Sequence, residues 1–120
     1  MGKLIIIILI ELEDLKMANE EETKKDLDEM CSKYAIEIEN LTEYEDIEEF
    51  FDDVLDIRYI VDGTKNYIGA ELCVACGGPT IWINTIDQQI NGYWGGTRAE
   101  KHFRDASLDD YVCELWENLK

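Results

Sequence analysis

Ten of the twenty residues from Glu37 to Asp56 are Asp or Glu, and none is Lys, Arg or His. The run lacks the DxDxDG pattern with a closing Glu that a strong calcium loop needs. Its period is helical. Over residues 43–55, Ile47, Phe50, Phe51, Val54 and Leu55 form one apolar stripe, with Thr42 and Glu45 placed as a capping box. With Ile47 at zero and about 100° per residue, the apolar side chains fall between about 300° and about 80°. Glu48, Asp52, Glu45, Asp56, Glu49, Asp53 and Asp46 fill the rest, from about 100° to about 260°.

A charged helix face is ordinarily just a solvated face, and such a face normally gains from Glu–Lys pairs one turn apart. Here the i, i+4 neighbours are alike at 45/49, 48/52, 49/53 and 52/56, each costing ~0.2–0.5 kcal/mol. Stability given up without structural return marks a surface kept for another reason. Seven carboxylates over about 17 Å of helix axis amount to one charge per ~2.5 Å, close to the ~1.7 Å of duplex DNA. Glu45, Asp46, Glu48, Glu49, Asp52, Asp53 and Asp56 are therefore the candidate partner-binding residues, suited to a basic groove that ordinarily holds nucleic acid.

Other chemistry is less well supported. Cys73-Val74-Ala75-Cys76 has CxxC spacing, but a structural zinc needs four ligands, and Cys31, Cys113 and His102 are not paired at finger-like spacing. Strand alternation also sends Cys73 towards the face opposite Cys76, so buried small side chains are expected and no metal. His102 is the only histidine, and no catalytic motif surrounds it, so no catalytic residues and no cofactor are assigned. Gly77-Gly78-Pro79 lacks the rest of a phosphate loop and reads as a turn between strands. Trp82, Tyr93 and Trp94 are expected in the core, although alternation can expose some of them as interface anchors.

The elements that must position these residues follow from period and punctuation. Before the acidic helix, Leu27, Met30, Cys31 and Tyr34 repeat at helical spacing over residues 24–34, with Thr23 and Asp26 as a capping box. The apolar run Leu4 to Ile10 fits a buried strand or a helix, and the spacing of Ile8, Leu12 and Leu15 favours helix. From Ile57 the period changes to two. Ile57–Val61, Tyr67–Ala75, Thr80–Asn84 and Ile90–Trp94 read as four strands of an antiparallel meander, with a fifth near Arg98–Phe103. Ser107 and Asp110 are placed to cap a last helix, with Leu108, Tyr111, Val112, Leu115, Trp116 and Leu119 facing inward. The expected fold is α+β: N-terminal helices and a C-terminal helix on a four- to five-stranded antiparallel sheet. It forms a single domain over residues 1–120, with an acidic helical region over residues 1–56, a sheet over 57–104 and a helix over 107–119.

The 120 residues carry 28 acids against 11 Lys and Arg, a formal net charge of −17. Residues 1–56 hold 19 acids and 5 bases, net −14, and residues 57–120 hold 9 and 6, net −3. That balance argues against direct nucleic-acid binding. The Leu4–Ile10 run is too short to span a bilayer and has no cleavage site, and Ile6 stands where myristoylation wants Ser or Thr. A cytoplasmic protein with reduced thiols is expected.

The segment Ala75-Cys76-Gly77-Gly78-Pro79-Thr80-Ile81-Trp82-Ile83-Asn84-Thr85, followed by Gly92-Tyr93-Trp94-Gly95-Gly96, resembles a pattern in small acidic proteins of phages and conjugative elements of Gram-positive bacteria. The resemblance spans roughly Val54 to Leu119. It implies a mobile-element setting, in which acidic proteins of this size resemble anti-CRISPR inhibitors and other anti-defence DNA mimics. The expected function is non-catalytic inhibition of a nucleic-acid-processing enzyme, with a CRISPR effector nuclease in the host cytoplasm as the expected target, through its basic protein surface. Two alternatives stand beside it. One is an accessory or regulatory interaction module using the sheet aromatics, with homo-oligomer formation compatible. The other is an enzyme or metal protein using Cys73 and Cys76.

Overall fold

The computed structural model describes residues 2–105 and 107–119, with side chains from Asn19 onward. Three helices, α1 (Gly2–Glu39), α2 (Tyr44–Asp52) and α3 (Leu108–Leu119), pack on a sheet of five strands. The strands are β1 (Asp56–Val61), β2 (Tyr67–Ala75), β3 (Thr80–Asn84), β4 (Gln89–Trp94) and β5 (Thr97–His102), each antiparallel to the next in the order β1-β2-β3-β4-β5. This is the α+β architecture expected, and the fifth strand is real.

α1 is one helix of 38 residues, about 57 Å long, rather than an opening segment followed by a separate helix over 24–34. Residues 3–39 contain neither Pro nor Gly, so nothing interrupts the hydrogen-bond ladder. Thr23 is no cap: its hydroxyl donates to the Asn19 carbonyl at 2.8 Å, one turn back inside the helix. The opening segment is helical, while the Ile8, Leu12 and Leu15 stripe lies outside the residues whose side chains are described.

Alternation divides the sheet into two faces. Leu72, Ile81, Ile83, Ile90 and Ala99 point to one side and are buried there with Leu27, Cys31 and Ile38 of α1, Ile47 and Phe50 of α2, and Leu108 and Val112 of α3. α1 lies against β4 and β5, and α3 against β2. The close seat of α1 depends on Gly92. A Cβ there would stand 2.8 Å from Cys31 Sγ and 2.9 Å from Leu27 Cδ1, nearer than packed carbon atoms come. The α3 side is fixed by polar bonds. Tyr67 Oη donates to Asp109 Oδ1 at 2.7 Å, Trp116 Nε1 to the Lys65 carbonyl at 3.0 Å, and the buried Thr85 hydroxyl accepts from Ala70 N at 2.9 Å.

The cap of α3 differs from the one the sequence predicts. Asp105, rather than Ser107 with Asp110, accepts from Leu108 N at 2.8 Å and Asp109 N at 3.0 Å. Its carboxylate covers orphan amides at the positive end of the helix dipole. Burial pushes the Asp105 carboxyl up, and these two hydrogen bonds partly offset the shift. Leu119, expected inward, is exposed at the last position of α3.

The β1–β2 turn is organised by Asp62. Its carboxylate accepts from Thr64 N at 2.9 Å, Thr64 Oγ1 at 2.8 Å, Asn66 N at 3.0 Å and Asn66 Nδ2 at 3.2 Å, while Lys65 takes a left-handed φ of 66°. The Asn66 and Thr64 donors hold this carboxyl at about 2, below its ordinary 3.8.

The seat of α1 and the β1–β2 turn can each be tested by stability. Gly92→Ala lifts α1 from β4 and lowers unfolding stability by ~1–3 kcal/mol in urea titration, the usual range for overpacking. For Asp62 the folded value is depressed, so its contribution is complete above about pH 4 and is lost as pH falls through about 2. Wild type should therefore lose stability across that window in acid titration, and the share of the loss due to this turn should be absent in Asp62→Ala.

Candidate functional site

α2 is shorter than the 43–55 helix its apolar stripe predicts, running from Tyr44 to Asp52 with Asp53 at its C-cap. Strand pairing takes the last turn. Leu55 N donates to the Cys73 carbonyl at 2.8 Å, which draws residues 54–55 into line with β2 and leaves the Leu55 side chain exposed. At the other end Glu43, not Thr42, is the N-cap, in extended backbone and without a side-chain cap bond. Ile47 and Phe50 hold α2 on the core, and Phe51 and Tyr44 stack on Tyr111 of α3 with ring centroids 4.8 and 5.5 Å apart.

With the apolar stripe turned inward, Glu45, Asp46, Glu48, Glu49, Asp52 and Asp53 are all exposed. Asp56 leaves the group. It begins β1 on the opposite side of the sheet, opposite Cys73, with its Oδ2 3.8 Å from Arg58 Nε. Six of the seven predicted carboxylates therefore form one surface, spaced at about 2 Å of helix axis per charge from residue 45 to residue 53.

The tertiary structure adds a partner to that surface. The last turns of α1 run beside α2, and Glu37, Asp46, Glu49 and Asp53 line a shared open cleft of about 330 Å³ with Asn40, Leu41 and Phe50. Sequence period alone could not bring Glu37 here, because it belongs to another helix. Its presence in the same base-free run was the signal available.

Electrostatically the site is arranged against local stability. Glu45 and Asp46 sit in the first turn of α2, where the helix dipole favours them. Asp52 and Asp53 sit at its C-terminus, and Glu37 and Glu39 at that of α1, with no basic residue in either last turn. Carboxylates there oppose the dipole at ~0.3–1 kcal/mol each. Among the described residues no Lys or Arg lies within ion-pair distance of the six α2 carboxylates, the ion pairs being Lys24–Asp28 and Arg58–Asp56. Lys33 borders the neighbouring hollow with Glu37 and Asp53 without reaching either at that range. The nearby phenols respond to the field. Burial pushes Tyr34 up and Glu37 and Asp53 push it further, while burial followed by Tyr44, Glu48 and Asp52 does the same to Tyr111.

The remaining candidates separate. Cys73 is buried on β2 and Cys76 is exposed in the turn beyond it, with a break in the β2–β3 register between Cys73 and Ala75. Among the described residues no three His, Cys, Asp or Glu side chains gather as a metal would require, and no helix is long and apolar enough to cross a membrane. The aromatics expected in the core are elsewhere. Trp82 is half-buried on the sheet face away from the helices, with the Arg58 guanidinium 4.3 Å above its ring, and Tyr93 and Trp94 are exposed. Ile81 and Ile83 alternate with Trp82, and their inward direction sends the indole out.

If the α2 carboxylates repel one another, removing one stabilises the fold. Glu49→Gln abolishes the like-charge neighbours at 45/49 and 49/53 and should raise unfolding stability by ~0.4–1 kcal/mol at low salt. In urea titrations that gain should shrink as salt is added. No family model, curated protein or solved structure matches the chain, so the chemistry of this cleft and of the open sheet face is what bears on its role.

Proposed function

We propose that this protein is a non-catalytic inhibitor of a nucleic-acid-binding enzyme, presenting carboxylates where that enzyme expects phosphates. The observation that carries this reading is the shared cleft of α1 and α2, which Glu37, Asp46, Glu49 and Asp53 line and where no described cation stands within ion-pair distance of the α2 carboxylates. Glu39 at the end of α1 accepts from Arg104 N at 3.2 Å, but Glu37, Asp52 and Asp53 oppose the helix dipoles, and a basic groove supplies the missing counter-charge. The charge spacing along α2 is close to that of duplex DNA, so Arg and Lys placed for phosphates meet carboxylates at comparable intervals. Rigidity helps. α2 is held by Ile47, Phe50 and the Tyr44–Phe51–Tyr111 stack, so little side-chain backing must be ordered on binding.

The target class this supports is an enzyme with an extended basic channel. In the mobile-element setting that the GGP strand and GYWGG turn imply, we take it to be a CRISPR effector nuclease in the host cytoplasm, whose Arg and Lys read the PAM and the strand backbones. Inhibition is by occlusion, without turnover.

A second reading draws on the sheet face away from the helices, where Arg58 stacks on Trp82 and Arg98 on Tyr93 at 4.3 and 5.5 Å. A hollow of about 240 Å³ lies there among Arg58, Glu71, Trp82, Asn84, Asn91 and Tyr93. Its chemistry suits an accessory or regulatory module that recognises a protein partner through aromatic anchors.

DNA cleavage by a panel of CRISPR effector nucleases, assayed with added protein across a salt series, tests the first reading. Inhibition is expected that weakens as salt rises and as excess DNA is added. The Glu45→Gln/Glu49→Gln/Asp52→Asn/Asp53→Asn variant should lose about 100-fold in potency, four exposed charge contacts at ~0.7 kcal/mol each. Inhibition untouched by that variant but abolished by Trp82→Ala would transfer the function to the sheet face. Absence of inhibition across the panel would remove the nuclease target.

A further inference from the structure

β1 is an edge strand with nothing laid along it. Apart from Leu55 N bonding Cys73 O at its approach, no backbone hydrogen bond outside the β1–β2 ladder reaches Asp56–Val61 among the described residues. Its composition is also that of an unprotected edge. Ile57, Tyr59, Ile60 and Val61 are apolar, whereas the other edge, β5, carries Arg98, Glu100, Lys101 and His102 and lies against α1. Charges, Lys above all, are the usual guard against strand pairing, and β1 has only Asp56 and Arg58.

Those two charges are self-complementary. In an antiparallel pair of β1 strands centred on Ile57, Asp56 of each copy stands opposite Arg58 of the other, giving two equivalent ion pairs on the outer face. On the inner face Ile57 meets its own copy, beside Tyr59, which stacks on Trp116 of its own α3 with ring centroids 5.3 Å apart. Neighbouring registers are worse. Centring on Arg58 sets the two guanidiniums against each other, and centring on Tyr59 sets Arg58 against Ile60. Within one chain Asp56 and Arg58 approach only to 3.8 Å and both stay more than half exposed; the Arg58 guanidinium rests over Trp82 of β3 in the free chain and must swing to the edge to meet Asp56 of a second copy.

We infer that two copies of this chain join through β1, antiparallel about Ile57, forming one continuous ten-stranded sheet with Asp56–Arg58 ion pairs across the two-fold axis. The occupant is a second copy because the strand matches itself in both apolar and charge pattern. A chain carrying −17 resists this pairing at long range, so the dimer is tighter at high salt than at low. The pairs that define the register, Ile57 with Ile57 and Asp56 with Arg58, include none of the α2 carboxylates, although Asp53 comes opposite Val61 at the end of the pairing, and the inference does not rest on the inhibitor reading.

Sedimentation equilibrium of the full chain over a concentration and salt series is the test. Wild type should reach twice the 13.9 kDa chain mass, with the dissociation constant falling as salt rises. Asp56→Arg and Arg58→Asp should each weaken self-association at least 10-fold, since each places like charges opposite one another twice. Mixed in equal amounts, the two variants should recover the dimer mass as a one-to-one heterodimer, because one copy then offers two cations and the other two anions. That recovery depends on both variants being folded, which far-UV circular dichroism checks. Ile57→Lys, which puts two ammonium groups on the axis, should also be monomeric. The quadruple α2 variant, with four fewer negative charges on each chain, should dimerise at least as tightly as wild type, so loss of inhibition and loss of dimer remain separable. A wild type monomeric throughout the series overturns the inference. So do single variants that associate like wild type, or folded ones whose mixture fails to recover.

Discussion

Because residue 92 has no side chain, Leu27 and Cys31 reach the backbone of β4, and α1 lies close across β4 and β5. Much else is set by that seat. It directs Ile38 and Leu41 into the core, so the chain leaves α1 through a short turn and α2 starts beside the helix it has just left. α2 must then bury Ile47 and Phe50 in the remaining gap, which leaves its acidic arc facing outward next to the acidic end of α1. The carboxylate cleft is a consequence of where α1 is allowed to sit.

The molecule is divided electrically by its sheet. On the helix side, carboxylates from two helix C-termini share a cleft with no described ion pair to quiet them. On the other side Arg58 and Arg98 stack over Trp82 and Tyr93, amid Glu71, Asn84 and Asn91. The two surfaces differ in kind. The first acts at range and is weakened by salt, while the second works by contact and fit. Such a division lets one small domain carry two surfaces of different chemistry without either constraining the packing of the other.

Order in the irregular segments comes from single polar groups. Asp62 gathers four donors in the β1–β2 turn, Asp105 caps α3, and Gln88, at a left-handed φ of 51°, accepts Asp105 N through its side chain and Phe103 N through its carbonyl. Among the described residues no buried side-chain nitrogen or oxygen is left without a partner. Because these polar groups are satisfied locally, the acidic surface can stay unsatisfied without loosening the domain beneath it.

The strands, their turns, the acidic arc of α2 and the apolar face of α3 were legible in the chain, because period and turn chemistry are local properties. Six of the seven carboxylates chosen from the spacing do share one surface. Asp56 does not, since a helical period cannot reveal that pairing of Leu55 with β2 ends the helix early. Nor could it say that Thr23 lies inside one long helix, that Asp105 takes the cap from Ser107, or that Trp82 faces outward. The packing of the helices on one face of the sheet settled the last of these, by deciding which side of each strand is dry. Sequence determined the charge and where along the chain it lies. Tertiary structure decided which charges meet, because residues from α1 and α2 become neighbours only once both helices are seated on the same core.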